Sequence, residues 1–224
     1  MGPTPPVVTI SAAYGTGGTF AGQRLAERLG VGFVDRAIPA WVAAELAERV
    51  EDVCAVEEDI GEGLSHWVSL FAPAGAEWVG LPQPDMGWYH DQASYKEQVG
   101  AVLKRAAAKG AVILGRGAAI VLRDHPGALH VRLDGPVERR IAQAMDMGGI
   151  DERSARRHLH QTDAARRRYV QRLYHTDVAD HRYYHLVIDA TTVPLATCVD
   201  LVVTAVTGRE ELRALGEAGP FETC

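Results

Sequence analysis

VVTISAAYGTGGTFAGQRLAERLG, residues 7–30, is the stretch that decides how the rest of the chain reads. Val7, Val8, Thr9 and Ile10 form an apolar, β-branched run, the mark of a buried strand. Gly15, Gly17 and Gly18 follow. Phe20, Leu25 and Leu29 then recur at helical spacing until Gly30 stops the helix. A strand, a glycine loop and a helix in that order can hold a phosphate. Glycines let backbone N–H groups turn towards an anion, and the helix N-terminus adds partial positive charge. The motif for such a loop is G-x-x-x-x-G-K-[ST]. With its second glycine set on Gly17, Ala12 takes the first glycine position, Gly18 the lysine and Thr19 the Ser/Thr. The backbone cradle and a hydroxyl for Mg²⁺ are kept; the lysine is not. An ordinary βα turn, with glycines serving close packing alone, has the same pattern.

Composition narrows the class. The 224 residues are 47% hydrophobic and 23% charged, enough for one globular domain with a sizeable core. A formal net charge of -6 argues against a general nucleic-acid binder, so any anion site must come from local clustering. Cys54, Cys198 and Cys224 lie far apart with no C-x-x-C pair, the usage of a reduced, cytoplasmic protein. The opening MGPTPP has neither the basic nor the apolar region of a signal peptide. Pro6 stands where a myristoylation signal needs Ser or Thr, and no apolar run is long enough to cross a membrane. The expectation is a cytoplasmic protein without a membrane partner.

The chain then alternates strand and helix. Residues 31–35 read as a short strand ending in Asp35 and Arg36, followed by a helix over 38–50. Ligands bind at the carboxyl ends of strands in open α/β sheets, although Asp35 would also serve as a helix cap. Residues 51–93 are first acidic, then rich in Gly, Pro and aromatics such as Trp67, Trp78 and Trp88. They read as a substrate cover or as a satellite apolar cluster. A helix follows over 95–109, and then AVILG, a continuous apolar run typical of a buried parallel strand. That run leads into Arg116 between two glycines, placed to reach a phosphate as a bidentate donor. Residues 128–133 and 185–189 read as strands, each followed by a helix. Residues 148–175 begin with Gly148 and Gly149 and carry seven arginines; they read as a basic helix or helix pair that closes as a lid. Aromatics are not interleaved there, so a nucleic-acid platform is not expected. His158 and His160 lie two apart with no accompanying ligand set, and no metal site is expected from them. Residues 1–6 and 209–224 read as tails. The strand–helix repetition implies one α/β domain, a parallel sheet with helices on both faces.

Several stretches together resemble the cytidylate kinase-like family, within the P-loop nucleoside monophosphate kinases. Members carry E-Y-G-S-G-G-R after the first strand, and here Ala13 to Thr19 read A-Y-G-T-G-G-T. Phe33, Val34, Asp35 and Arg36 are similar to F-Y-D-[KR]. Ile113 to Ala118 are similar to I-x-G-R-[CG]-A. Thr162, Asp163, Arg166 and Tyr169 follow T-D-x-x-R-x-x-Y, and Tyr184 to Asp189 follow Y-x-L-x-[IL]-[ND]. The resemblance implies a P-loop kinase-like sandwich with a helical lid, ATP and Mg²⁺ as cofactors, and a nucleoside monophosphate such as CMP as acceptor. It implies that Gly15, Thr16, Gly17, Gly18 and Thr19 hold the triphosphate, with Thr19 towards Mg²⁺. Arg116 and Arg166 would stabilise the transferred group, with Asp163 orienting a lid arginine. Asp35 and Arg36 would face the acceptor, and Arg167, Tyr169 and Arg182 would belong to the lid. The family's arginine after the loop glycines is Thr19 here, and its Arg-Glu before the loop tyrosine is Ala12 and Ala13. A regulatory nucleotide-binding protein and a kinase for another small molecule therefore stay open, as does a homo-oligomer.

Overall fold

A computed structural model describes residues 5–35 and 92–214. Arg36, the helix expected over 38–50 and nearly all of the expected cover, with its tryptophans, lie outside the described residues. Five strands form one parallel sheet: β1 (Val7–Ala12), β2 (Gly32–Val34), β3 (Ala111–Leu114), β4 (Ala128–Asp134) and β5 (Leu186–Asp189), in the order β2-β3-β1-β4-β5. β1 is central because both its faces are buried, which suits its β-branched run. Ile10 pairs with Leu114 on one side, and Ala12 with Leu133 on the other.

Side-chain alternation splits the core in two. On one face Val8, Ile10 and Ala12 pack under α1 (Gly18–Leu29) and, with Leu129, Val131 and Ile188, under a C-terminal helix, Leu195–Ala214. On the other, Val7, Ile113 and Ala128 meet Val99, Leu103 and Ala107 of α2 (Gln92–Ala108), and Ala118 of α3 (Ala118–Val121). Two further helices follow β4: α4 (Val137–Gly148) and α5 (Glu152–Tyr174), so the C-terminal helix is α6. Among the described residues no helix is long and apolar enough to cross a membrane.

Two expectations change. The tail expected from Arg209 begins later, because α6 continues through Ala214. Arg209 is anchored there, donating to the Ala128 carbonyl at 2.8 Å. The basic segment is one 23-residue helix, capped by Asp151 accepting from Ser154 N–H. The glycines before it are built into α4: Gly148 is its last residue and Gly149 its left-handed cap.

Candidate functional site

The carboxyl ends of all five strands share one rim. The connection out of β1 leads towards β2 and that out of β4 towards β5, so a crevice opens between β1 and β4, where open α/β sheets bind ligands. The glycine loop leaves β1 at this point. Gly15 has φ +80°, and Gly17, at φ +68°, is the N-cap of α1. No side chain caps α1 and its first turn holds no acidic residue, so the arrangement fits an anion at the backbone N–H groups of that turn. Thr19 lies half-buried in the same turn. Thr16, in contrast, is turned inward: it is fully buried and its Oγ1 donates to the Ala13 carbonyl at 2.8 Å.

α5 lies across this rim. Its N-terminal half packs Ala155 and Leu159 on Ile141 and Ala144 of α4, with Tyr14 alongside. Its C-terminal half packs Ala165, Tyr169 and Val170 with Ile120 of α3. Between these anchors it grips the loop. Tyr14 N–H donates to Asp163 Oδ1 at 2.9 Å, and Arg166 Nη1 donates to the Ala12 carbonyl at 2.6 Å. Asp163 does not serve Arg166 alone, as the i,i+3 spacing suggested. Its nearer partner is Arg140 of α4 at 2.6 Å, with Arg166 at 3.6 Å. Arg140 also donates to the Tyr14 carbonyl at 3.2 Å, so both polar groups of Tyr14's backbone are held by one ion pair. Burial pushes the Tyr14 phenol up, against the pull of Arg166. The sequence reading missed Arg140. Its one readable signal was a charge four residues before Ala144, on the buried face of α4.

Arg116 sits at the end of β3 with φ +57°, a left-handed conformation costly for a side chain of its size. Tyr174 Oη donates to its carbonyl at 3.2 Å. Arg116 and Arg166, 50 residues apart in sequence, line one pocket that is partly open to solvent. Ser11, Ala12, Ala118, Tyr169, Val178 and Tyr184 supply other parts of its wall. Two cations in a largely apolar setting suit an anionic ligand with a non-polar body.

The other expected residues are not brought into this pocket. Asp35 follows β2 at the sheet edge, with β3 between it and β1. Arg167 is exposed on α5. Arg182 lies in a short 3₁₀ turn (His181–Tyr183), after α5, and pairs with Asp180 at 2.7 Å, which lowers that carboxyl's pKa. Thr191 and Thr192, ahead of α6, bond the Asp189 carboxylate. Among the described residues no group of three or more His, Cys, Asp or Glu is placed to hold a metal ion.

An uncharacterised protein from Eubacterium ventriosum shares the fold, with a TM-score of 0.60 and 20% identity over 91% of this chain and 99% of that one. A gluconokinase from Sinorhizobium meliloti aligns more loosely, at a TM-score of 0.48 and 15% identity over 95% of this chain and 98% of that one. A uronate isomerase from Corynebacterium glutamicum is 32% identical over 98 residues, 44% of this chain. The match spans only 19% of the isomerase, so that enzyme's activity does not come with it. A model of the cytidylate kinase-like family matches residues 7–192.

Proposed function

The chain belongs to the cytidylate kinase-like family, and from that premise we propose that it transfers a phosphoryl group from ATP to a small acceptor, in the first instance a pyrimidine nucleoside monophosphate such as CMP. The observation that carries this reading is the convergence of Arg116 and Arg166 on one pocket at the carboxyl end of β1. They come from different elements, β3's end and α5, and meet in one place. An acceptor phosphate and a transferred phosphoryl group both need such charge.

Each residue then has a part. Backbone N–H groups at Gly17, Gly18 and Thr19 would hold the polyphosphate, and the Thr19 hydroxyl would help to hold Mg²⁺. Mg²⁺-ATP, when bound, supplies the transferable group and much of the charge compensation. Arg116 orients the acceptor's anionic end. Arg166 faces the transferred group, held in place by Asp163. The apolar walls exclude water and so strengthen both arginines. By the family resemblance, Asp35 and Arg36 would belong to acceptor recognition. Positioning and electrostatics carry most of this chemistry, so a general base is not required.

A second reading is a regulatory nucleotide-binding protein, favoured by the glycine at the lysine position. A coupled assay over a panel of nucleoside monophosphates separates the two. Wild type should turn over at least one. Arg116→Ala should lower kcat/KM for that acceptor roughly a hundredfold while leaving the ATP Kd within about twofold. ATP binding without turnover of any acceptor would favour the regulatory reading.

A further inference from the structure

β4 is buried along most of its length, and one of its buried residues is charged. Arg132 stands opposite Ser11 of β1, so both side chains project from the same face of the sheet. Its side chain is only 10% exposed, and its guanidinium is held along two edges. Nε and Nη2 donate to Asp134 Oδ2 at 2.9 and 2.6 Å. Nη1 donates to the Val178 carbonyl at 3.1 Å and to Ser11 Oγ at 3.3 Å. The Tyr184 ring lies 5.9 Å from the guanidinium, and its Oη donates to the same Val178 carbonyl at 2.6 Å. Ser11, Val178 and Tyr184 all line the pocket that holds Arg116 and Arg166. Arg132 is not a lining residue; it fastens three of them.

Ser11 is the one residue of β1 that is not buried. A guanidinium has donors only, so Ser11 Oγ accepts from Arg132 and its single proton points elsewhere. Among the described residues this is the one hydrogen bond of that hydroxyl. We propose that Ser11 binds ligand in the pocket, its hydroxyl donating to an oxygen of the anionic group that Arg116 and Arg166 hold, and that Arg132 is the positioning residue that aims it. Asp134 neutralises Arg132, so the pocket takes its net charge from Arg116 and Arg166 and gains a neutral donor of fixed direction. A buried ion pair adds little to stability over apolar residues of the same volume, which leaves positioning as the work of this one. The ligand group is an oxyanion. That it is the phosphate of an acceptor rests on the proposed function; the aimed hydroxyl does not.

The test is a double-substitution cycle of Ser11→Ala and Arg132→Lys, read by calorimetry with CMP and inorganic phosphate as separate probes. Ser11→Ala should weaken both probes roughly tenfold, because it removes a hydrogen bond to a charged group. Its Tm should stay within about 2 °C of wild type, since Arg132 keeps Asp134 and Val178. Arg132→Lys keeps a cation for Asp134 but lacks the planar fork that also reaches Ser11 and Val178. It should weaken both probes roughly fivefold alone, and by less than about twofold on the Ser11→Ala background. Unchanged affinity in Ser11→Ala would overturn the ligand role of Ser11. Losses that multiply in the double variant would overturn the positioning role and make Arg132 a fastener of the pocket wall alone. A wild type that binds either probe but turns over no nucleoside monophosphate overturns the proposed kinase activity, and the cycle still decides the hydroxyl. A wild type that binds neither probe overturns the assignment of Ser11 itself.

Discussion

The two turns that leave β1 and β3 are built alike and end up with different equipment. Each runs from a buried strand, through glycines of positive φ, into a helix. The caps Gly17 and Gly117 have the same φ of +68° and neither helix has a side-chain cap. A Cβ on Gly17 would meet Leu195 of α6, and one on Gly117 would meet Tyr174 of α5. Yet the β1 turn opens a 12-residue helix and carries no charged side chain, while the β3 turn opens a four-residue helix and carries Arg116. The first turn offers backbone donors and a long helix dipole, and the second offers a guanidinium. On the proposed reading, charge and cradle, joined in one loop by the phosphate motif, are divided between the turns of neighbouring strands.

The largest expected effect breaks the symmetry of the two turns. A Cβ on Gly15 would run into the backbone carbonyl of Arg140, which cannot swing aside, whereas Gly117 faces a tyrosine ring. Gly15→Ala should therefore cost about 4 kcal/mol or more, and Gly117→Ala about 2 kcal/mol, in chemical unfolding. Equal losses would mean that the β1 turn relaxes as easily as its neighbour. The same crowding makes Gly17→Val a test of packing against Leu195 before it is one of phosphate binding.

A middle-sized effect sets the conditions for comparing the turns. Beneath the β1–β4 crevice, Thr9 Oγ1 bonds His130 Nδ1 at 2.8 Å, and the His130 ring stacks on His185 at 4.9 Å. Burial, and after it the His185 charge, brings His130 down to about 4; burial and then Arg209 lower His185. The folded state thus resists a proton that the unfolded chain accepts near pH 6.5. Stability is complete above that pH and falls as pH drops towards 4, by on the order of 2 kcal/mol from His130. His130→Gln should flatten the Tm profile across this window, and an unchanged slope would place the acid sensitivity elsewhere. Activities of turn variants belong above pH 6.5, where the sheet beneath them is constant.

The smallest effect is a control. Arg182 is exposed and its partner Asp180 lies two residues away. Arg182→Ala should shift Tm by no more than about 1 °C and leave nucleotide affinity unchanged. A loss comparable to that in Ser11→Ala would extend the charged site beyond the β1 and β3 turns.

Local patterns carried the fold class. Val7 to Ile10 and Ala111 to Leu114 are too continuously apolar for a half-exposed strand, and the helical spacing between such runs implies crossovers and a parallel sheet. That Arg116 leaves the end of β3 was also legible, from the apolar run and the glycines around it; that Arg166 lines the same pocket was not. Strand order was not, because the pairing of Ala12 with Leu133 joins residues 121 positions apart, and no local pattern encodes that distance. The clamp on Tyr14 escaped for the same reason: Arg140 reaches its carbonyl across 126 positions. Sequence alone determined that the loop has glycines and no lysine. Only the tertiary structure decided what surrounds that loop, since the close approach of Ala12 on a strand and Gly18 on a helix exists only once the two are packed together, and only then does Arg166 reach the Ala12 carbonyl.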